Sequence, residues 1–157
     1  MVLFKSASRF SGIKVPVILT QTDTTVGFLS QDEQKLYDIK SRSQTKPFIK
    51  VYKDFKSFLQ DNNRVPKNRK KLIRRSKKTT FVIGNLSFRV ASLKLDSQIL
   101  NTTPWFYSTS ANKSGERFKR DFCESKADII VEDIDSLVEK SSSALIKINR
   151  IKRRRLR

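Results

Sequence analysis

Apolar residues in this chain fall in short runs separated by polar stretches, and the period inside each run sorts strands from helices. Val15 to Thr20 (VPVILT) is continuous and of strand length, the pattern of a strand buried on both faces. Ser30-Gln31-Asp32-Glu33 has the form of a capping box, and Leu36, Tyr37 and Ile39 then give a helical apolar face ending near Lys40. Phe48 to Tyr52 predicts a second strand, and Phe55, Phe58 and Leu59 have the spacing of a short helix. Thr80 to Ile83 and Ser87 to Ala91 flank Gly84-Asn85-Leu86 and predict a hairpin with a short Gly/Asn turn. Leu95 to Leu100 predicts a brief helix, Trp105 to Ser108 a strand, and Arg117 to Lys126 a helix. Asp128 to Val131 and Ala144 to Ile148 are the last strand candidates.

Strands interleaved with short helices predict an α/β or α+β domain with a mixed sheet. Prolines and glycines are scattered singly and no repeat is found, so one domain is expected over residues 1–149. Two stretches fall outside the apolar pattern. Arg64 to Lys78 (RVPKNRKKLIRRSKK) has nine cations, no acid, and only Val65, Leu72 and Ile73 to bury, so it reads as an exposed basic helix or loop. Residues 150–157 (RIKRRRLR) form a basic tail with no apolar pattern, expected to be mobile.

Composition narrows the chemistry. The 157 residues are 37% apolar with 11 Phe, enough for a modest interior, and the net charge of +19 points to anionic partners. There is no histidine, which removes Ser/His and Cys/His nucleophiles, histidine-ligated zinc and imidazole acid–base work. The single cysteine, Cys123, cannot pair within the chain and is expected to be a small buried side chain, as suits a reducing cytosol. No stretch approaches the roughly 18 apolar residues of a membrane span, so a soluble, cytoplasmic protein without a membrane partner is expected.

Three polar segments each lie at the end of a predicted element, where open α/β sheets place ligand-binding groups. The first, Thr22 to Gly27 (TDTTVG), offers hydroxyls, a carboxylate and a glycine to a small polar substrate, or forms a turn that only caps the next helix. In the second, Lys40, Arg42 and Lys46 leave a helix together and suit a polyphosphate, or simply answer the helix dipole. The third, Tyr107 to Gly115 (YSTSANKSG), can wrap a triphosphate or ribose with backbone N–H groups and hydroxyls, or form a solvated loop.

In order and spacing these segments resemble the YrdC-like family of threonylcarbamoyl-AMP synthases. The motifs are QTDTTVGF (Gln21 to Phe28), IKSRSQTKP (Ile39 to Pro47), TTFV (Thr79 to Val82), SFRV (Ser87 to Val90) and STSANKSG (Ser108 to Gly115), together running through nearly the whole chain. Gln21 and Val26 stand where the family has proline and tyrosine, and Lys77-Lys78 where it often has Gly-Pro.

The resemblance implies a YrdC-like α/β domain with a basic central cleft. It also implies a reaction in which L-threonine, bicarbonate and ATP give threonylcarbamoyl-adenylate and pyrophosphate. That product serves tRNA threonylcarbamoyladenosine formation through a separate threonylcarbamoyl transferase. It assigns Lys40 and Arg42 to catalysis and, with Lys46, Ser110, Asn112 and a tail arginine, Arg153, to ATP. Thr24, Arg89, Ser108 and Ser143 are assigned to threonine, with Ser141 and Ser142 as rivals for the last position. Magnesium is implied with the triphosphate, held mainly by phosphate and water rather than by a protein metal site.

The charge supports a second reading, a non-catalytic homologue that binds RNA or nucleotide through Arg64–Lys78 and the tail. A docking module for other tRNA-modification proteins is a third.

Overall fold

The structure, a computed structural model, describes residues 2–4, 15–41, 47–90, 103–132 and 137–157. The chain divides into two compact units, residues 1–48 with 107–141 and residues 49–106 with 142–157. The predicted helix over Leu95 to Leu100 lies outside the described residues.

The first unit contains strands β1 (Val2–Phe4), β2 (Ile18–Gln21) and β3 (Val26–Ser30) and helix α1 (Glu33–Lys40). The Tyr107–Ser110 part of β7 (Trp105–Ser110), helix α4 (Arg120–Lys126) and β8 (Ile129–Val131) complete it. Its strands lie in the order β1-β8-β2-β3-β7. β2 runs parallel to β8, and the other neighbours are antiparallel, so the sheet is mixed. Ile18, Leu19 and Thr20 of β2 are all buried, as the continuous apolar run predicts. Val17, Leu19, Val26, Phe28, Leu36 and Tyr37 form the centre of this unit's apolar cluster.

β3 is not evident in the sequence because VGFLS follows the polar TDTT turn without alternation. It forms because Thr22 closes a tight turn, its N–H donating to Thr25 O at 3.0 Å, and sends the chain back along β2. Ser30 therefore ends a strand, opposite Tyr107, rather than capping α1. The cap is Asp32, whose carboxylate accepts from the Gln34 and Lys35 amides, while Ser30 Oγ accepts from Asp32 N at 3.1 Å. α4 begins at Arg120, not Arg117, because Lys119 is still extended.

The second unit contains β4 (Ile49–Tyr52), α2 (Phe55–Gln60), α3 (Lys70–Arg75), β5 (Thr79–Ile83), β6 (Leu86–Val90), β9 (Ala144–Ile148) and β10 (Arg153–Arg155). Its strands lie in the order β4-β6-β5-β9-β10, with β4–β6 and β5–β9 parallel and β5–β6 and β9–β10 antiparallel, again a mixed sheet. The predicted β5–β6 hairpin forms across Gly84-Asn85, where Gly84 takes a φ of 56°. Aromatic packing dominates the core. Phe58 stacks on Phe88 at 4.4 Å and meets Tyr52 edge-on at 5.2 Å, contacts worth about 0.5–1.5 kcal/mol each beyond burial. Arg64 to Lys78 is helical in part, a 3-10 turn at Lys67–Arg69 followed by α3, with only Ile73 of the helix fully buried.

The tail takes part in the sheet in this structure. Arg153–Arg155 pairs antiparallel with β9, and Leu156 N donates to Leu145 O at 2.7 Å. The turn before it is closed by Asn149, whose side-chain oxygen accepts from the Ile151 and Lys152 amides. Backbone pairing to a sheet edge needs no apolar side chain, so the pairing is hidden in a run of arginines.

Candidate functional site

In the first unit the fold ties two predicted segments together. Lys40, the last residue of α1, is 4% exposed, and Ser41 ends the helix in the left-handed conformation with a φ of 47°. The Lys40 ammonium donates to the carbonyls of Ser110 at 2.8 Å and Asn112 at 2.7 Å and to Asn112 Oδ1. A buried ammonium is tolerated only with such acceptors, so Lys40 fixes the loop as the loop accommodates its charge. Asn112 uses both ends of its amide. Oδ1 also accepts from Ser110 Oγ at 2.7 Å, and Nδ2 donates to Glu116 O.

Within the loop, Ala111 is buried and its N–H donates to Val26 O at 2.8 Å. Cys123, also buried, donates its thiol to Ala111 O at 3.2 Å. Burial pushes the Cys123 thiol up, so at neutral pH it remains a donor and not a thiolate. Gly115 turns the loop at a φ of 82°, a conformation that suits glycine.

The Thr22–Gly27 segment is organised by Thr22, a residue the sequence reading did not single out. Its hydroxyl donates to Thr25 O at 2.6 Å, accepts from the Thr24 and Thr25 amides and lies 3.2 Å from Thr24 Oγ1. Thr24 is thereby held at 5% exposure. Gly27 permits close packing: a Cβ there would lie 3.2 Å from Thr109 O and 3.0 Å from the Thr22 methyl. Ser108 lies on β7 opposite Leu29.

In the second unit, Arg89 and Ser143 meet through a residue that the sequence places only within a motif. Arg89 Nη2 donates to Thr80 Oγ1 at 3.2 Å, and Thr80 Oγ1 lies 2.9 Å from Ser143 Oγ. Arg89, Thr80 and Ser143 are 6%, 0% and 3% exposed. Ser141 and Ser142 are exposed, so Ser143 is the serine of the three that enters this cluster. Thr80 was legible only as the second threonine of TTFV. Arg153 lies on the exposed strand β10, and Arg42 and Lys46 fall outside the described residues. Among the described residues no group of acids and cysteine forms a cluster suited to a metal ion, and no helix is long and apolar enough to cross a membrane.

No family model matches the chain, and no curated protein matches it in sequence. Solved structures do match. The solution structure of MTH1692 protein from Methanobacterium thermoautotrophicum has 20% identity and a TM-score of 0.65, covering 90% of this chain and 79% of that one. P. abyssi Sua5 complexed with L-threonine has 17% identity and a TM-score of 0.71, covering 90% of this chain and 50% of that one. E. coli YciO has 17% identity and a TM-score of 0.70, covering 92% and 83%. The chain thus has the fold of these proteins, and it spans about half the length of the Sua5 chain it matches.

Proposed function

We propose that the chain is a nucleotidyltransferase that makes L-threonylcarbamoyl-adenylate from L-threonine, bicarbonate and ATP, for threonylcarbamoyladenosine formation in tRNA. The observation that carries this reading is the bonding of Lys40 to Ser110 and Asn112, which unites the two segments suited to phosphate binding. The shared fold with a Sua5 bound to L-threonine supports the choice of substrate.

In this reading the braced STSANKSG loop receives the triphosphate through its N–H groups and hydroxyls, with Ser110 and Asn112 as contacts and Lys40 supplying fixed positive charge. Arg42 and Lys46, beyond the end of α1, add cations for the polyphosphate, and Arg153 serves the nucleotide. The family resemblance assigns threonine to Arg89 and Ser143, which Thr80 links within the second unit, and to Thr24 and Ser108 of the first; a guanidinium such as that of Arg89 suits a carboxylate. Magnesium would accompany the triphosphate and would shield its charge, held mainly by phosphate and water rather than by the described residues.

The chemistry needs no histidine. The threonine amine attacks bicarbonate carbon, water leaves, and a carbamate forms. A carbamate oxygen then attacks the α-phosphorus, the bond to the β-phosphate oxygen breaks, and pyrophosphate departs with the electron pair. Every participant that must be held is anionic, so positioning by cations and backbone donors does most of the work; such positioning supplies roughly 7–11 kcal/mol in favourable cases.

The test follows labelled carbon from bicarbonate and labelled threonine into an ultraviolet-absorbing product. Both labels in one adenylate, lost in Arg89→Met, are expected. ATP binding without any doubly labelled product would favour the non-catalytic nucleotide-binding reading instead.

A further inference from the structure

The net charge is not spread through the molecule. Residues 62–95 contain 11 Lys and Arg and no acid, and residues 140–157 contain 8 and no acid. Together they hold all 19 excess charges, so the remaining residues carry 15 cations against the chain's 15 acids and are neutral. Apart from Lys140, these cations belong to the second unit.

The fold joins the two acid-free stretches. Arg69 Nε donates to Asn149 O at 3.2 Å and its Nη2 to Ile151 O at 3.1 Å, while Asn68 Nδ2 donates to Arg150 O at 3.2 Å. They meet again where Ala144 N donates to Lys78 O at 3.0 Å and β5 runs beside β9. Lys67, Lys71, Arg74 and Arg75 are exposed on one stretch, and Lys152 and Arg153–Arg155 on the other.

We infer that the surface exposed by these two joined, acid-free stretches of the second unit docks the phosphate backbone of a nucleic acid. Like charges held this close repel one another, and a polyanion relieves that repulsion while releasing its counterions. A membrane is the weaker fit. The apolar residues of α3 that would enter a bilayer are committed to the core, Ile73 at only 1% exposure and Leu72 packed against the same cluster. An acidic protein surface is weaker too, since the two stretches carry a single sign of charge with little apolar area for a packed centre, Ile151 and Leu156 being their exposed large apolar side chains among the described residues. This inference does not depend on adenylate synthesis.

Two variants with equal net charge separate a docking face from diffuse attraction. Lys71→Gln/Arg75→Gln/Arg154→Gln removes three exposed charges from the face, and Lys56→Gln/Arg117→Gln/Lys126→Gln removes three exposed charges elsewhere. Binding to a fluorescein-labelled, unmodified tRNA transcript is measured by anisotropy over a salt series, with thermal unfolding as a control for folding. The face variant is expected to flatten the slope of log K against log salt by about three, and the other variant by less than about one. Equal slopes for the two variants, no tRNA binding by the native chain, or tighter binding to phosphatidylserine vesicles than to tRNA would each overturn the inference.

Discussion

Lys40 shows how one side chain can fold a site. Its ammonium is buried against two main-chain carbonyls from a loop 70 residues away, so its removal leaves acceptors without a donor rather than a simple hole. Lys40→Met keeps the length and loses the charge, and it is expected to cost about 1–3 kcal/mol of stability. Hydrogen exchange in residues 110–116 is expected to accelerate more than in α2 of the other unit. Unchanged exchange in the loop would mean that the ammonium does not brace it. In sequence, Lys40 read as a dipole-matching cation at a helix end unless the family resemblance made it a phosphate ligand. Only the fold reveals its burial. Thr80 was obscured for a similar reason, since a threonine in a strand has a good β-propensity whether or not its hydroxyl links an arginine to a serine.

Elements with long apolar runs were legible and those built from backbone pairing were not. β2, β4, β5, β6 and β9 overlap their predicted positions because Val, Ile, Leu and Phe mark them as apolar runs. β3 was hidden behind a polar turn, and β10 consists of three arginines. The hidden β10 has a structural role, because it covers the edge of β9. Truncation after Asn149 is expected to expose that edge and raise light scattering on warming relative to the full chain; equal scattering would show that β9 tolerates exposure.

The junction of β4 with the segment after α2 gives a prediction in pH. Asp61 accepts from Lys50 Nζ and Tyr52 OH, both at 2.6 Å, and from Asn63 Nδ2 at 3.2 Å. Burial pushes its carboxyl up, but the bonds from Lys50, Tyr52 and Asn63 prevail and hold it below the usual aspartate value. A depressed folded value gives stability that is fully present above the unfolded value and is lost as pH falls through the folded one. Denaturant unfolding from about pH 6 down to about pH 3 is expected to fall more steeply for the native chain than for Asp61→Asn. Parallel curves would remove Asp61 from the pH response.

At the scale of the whole molecule, the charge that first suggested anionic partners separates by location. The neutral part of the chain contains the Lys40–Ser110–Asn112 assembly, and the acid-free part contains Arg89 with Thr80 and Ser143 together with the exposed basic face. Total charge alone favoured nucleic acid; in the proposed reading a few cations serve small anionic substrates, and the exposed majority is left for a polyanion. Omission of one substrate at a time from a pyrophosphate-release assay with magnesium and ATP tests the central claim directly. The account predicts release that requires both L-threonine and bicarbonate and disappears in Lys40→Met. Release from ATP alone, or none with all substrates present, would contradict it.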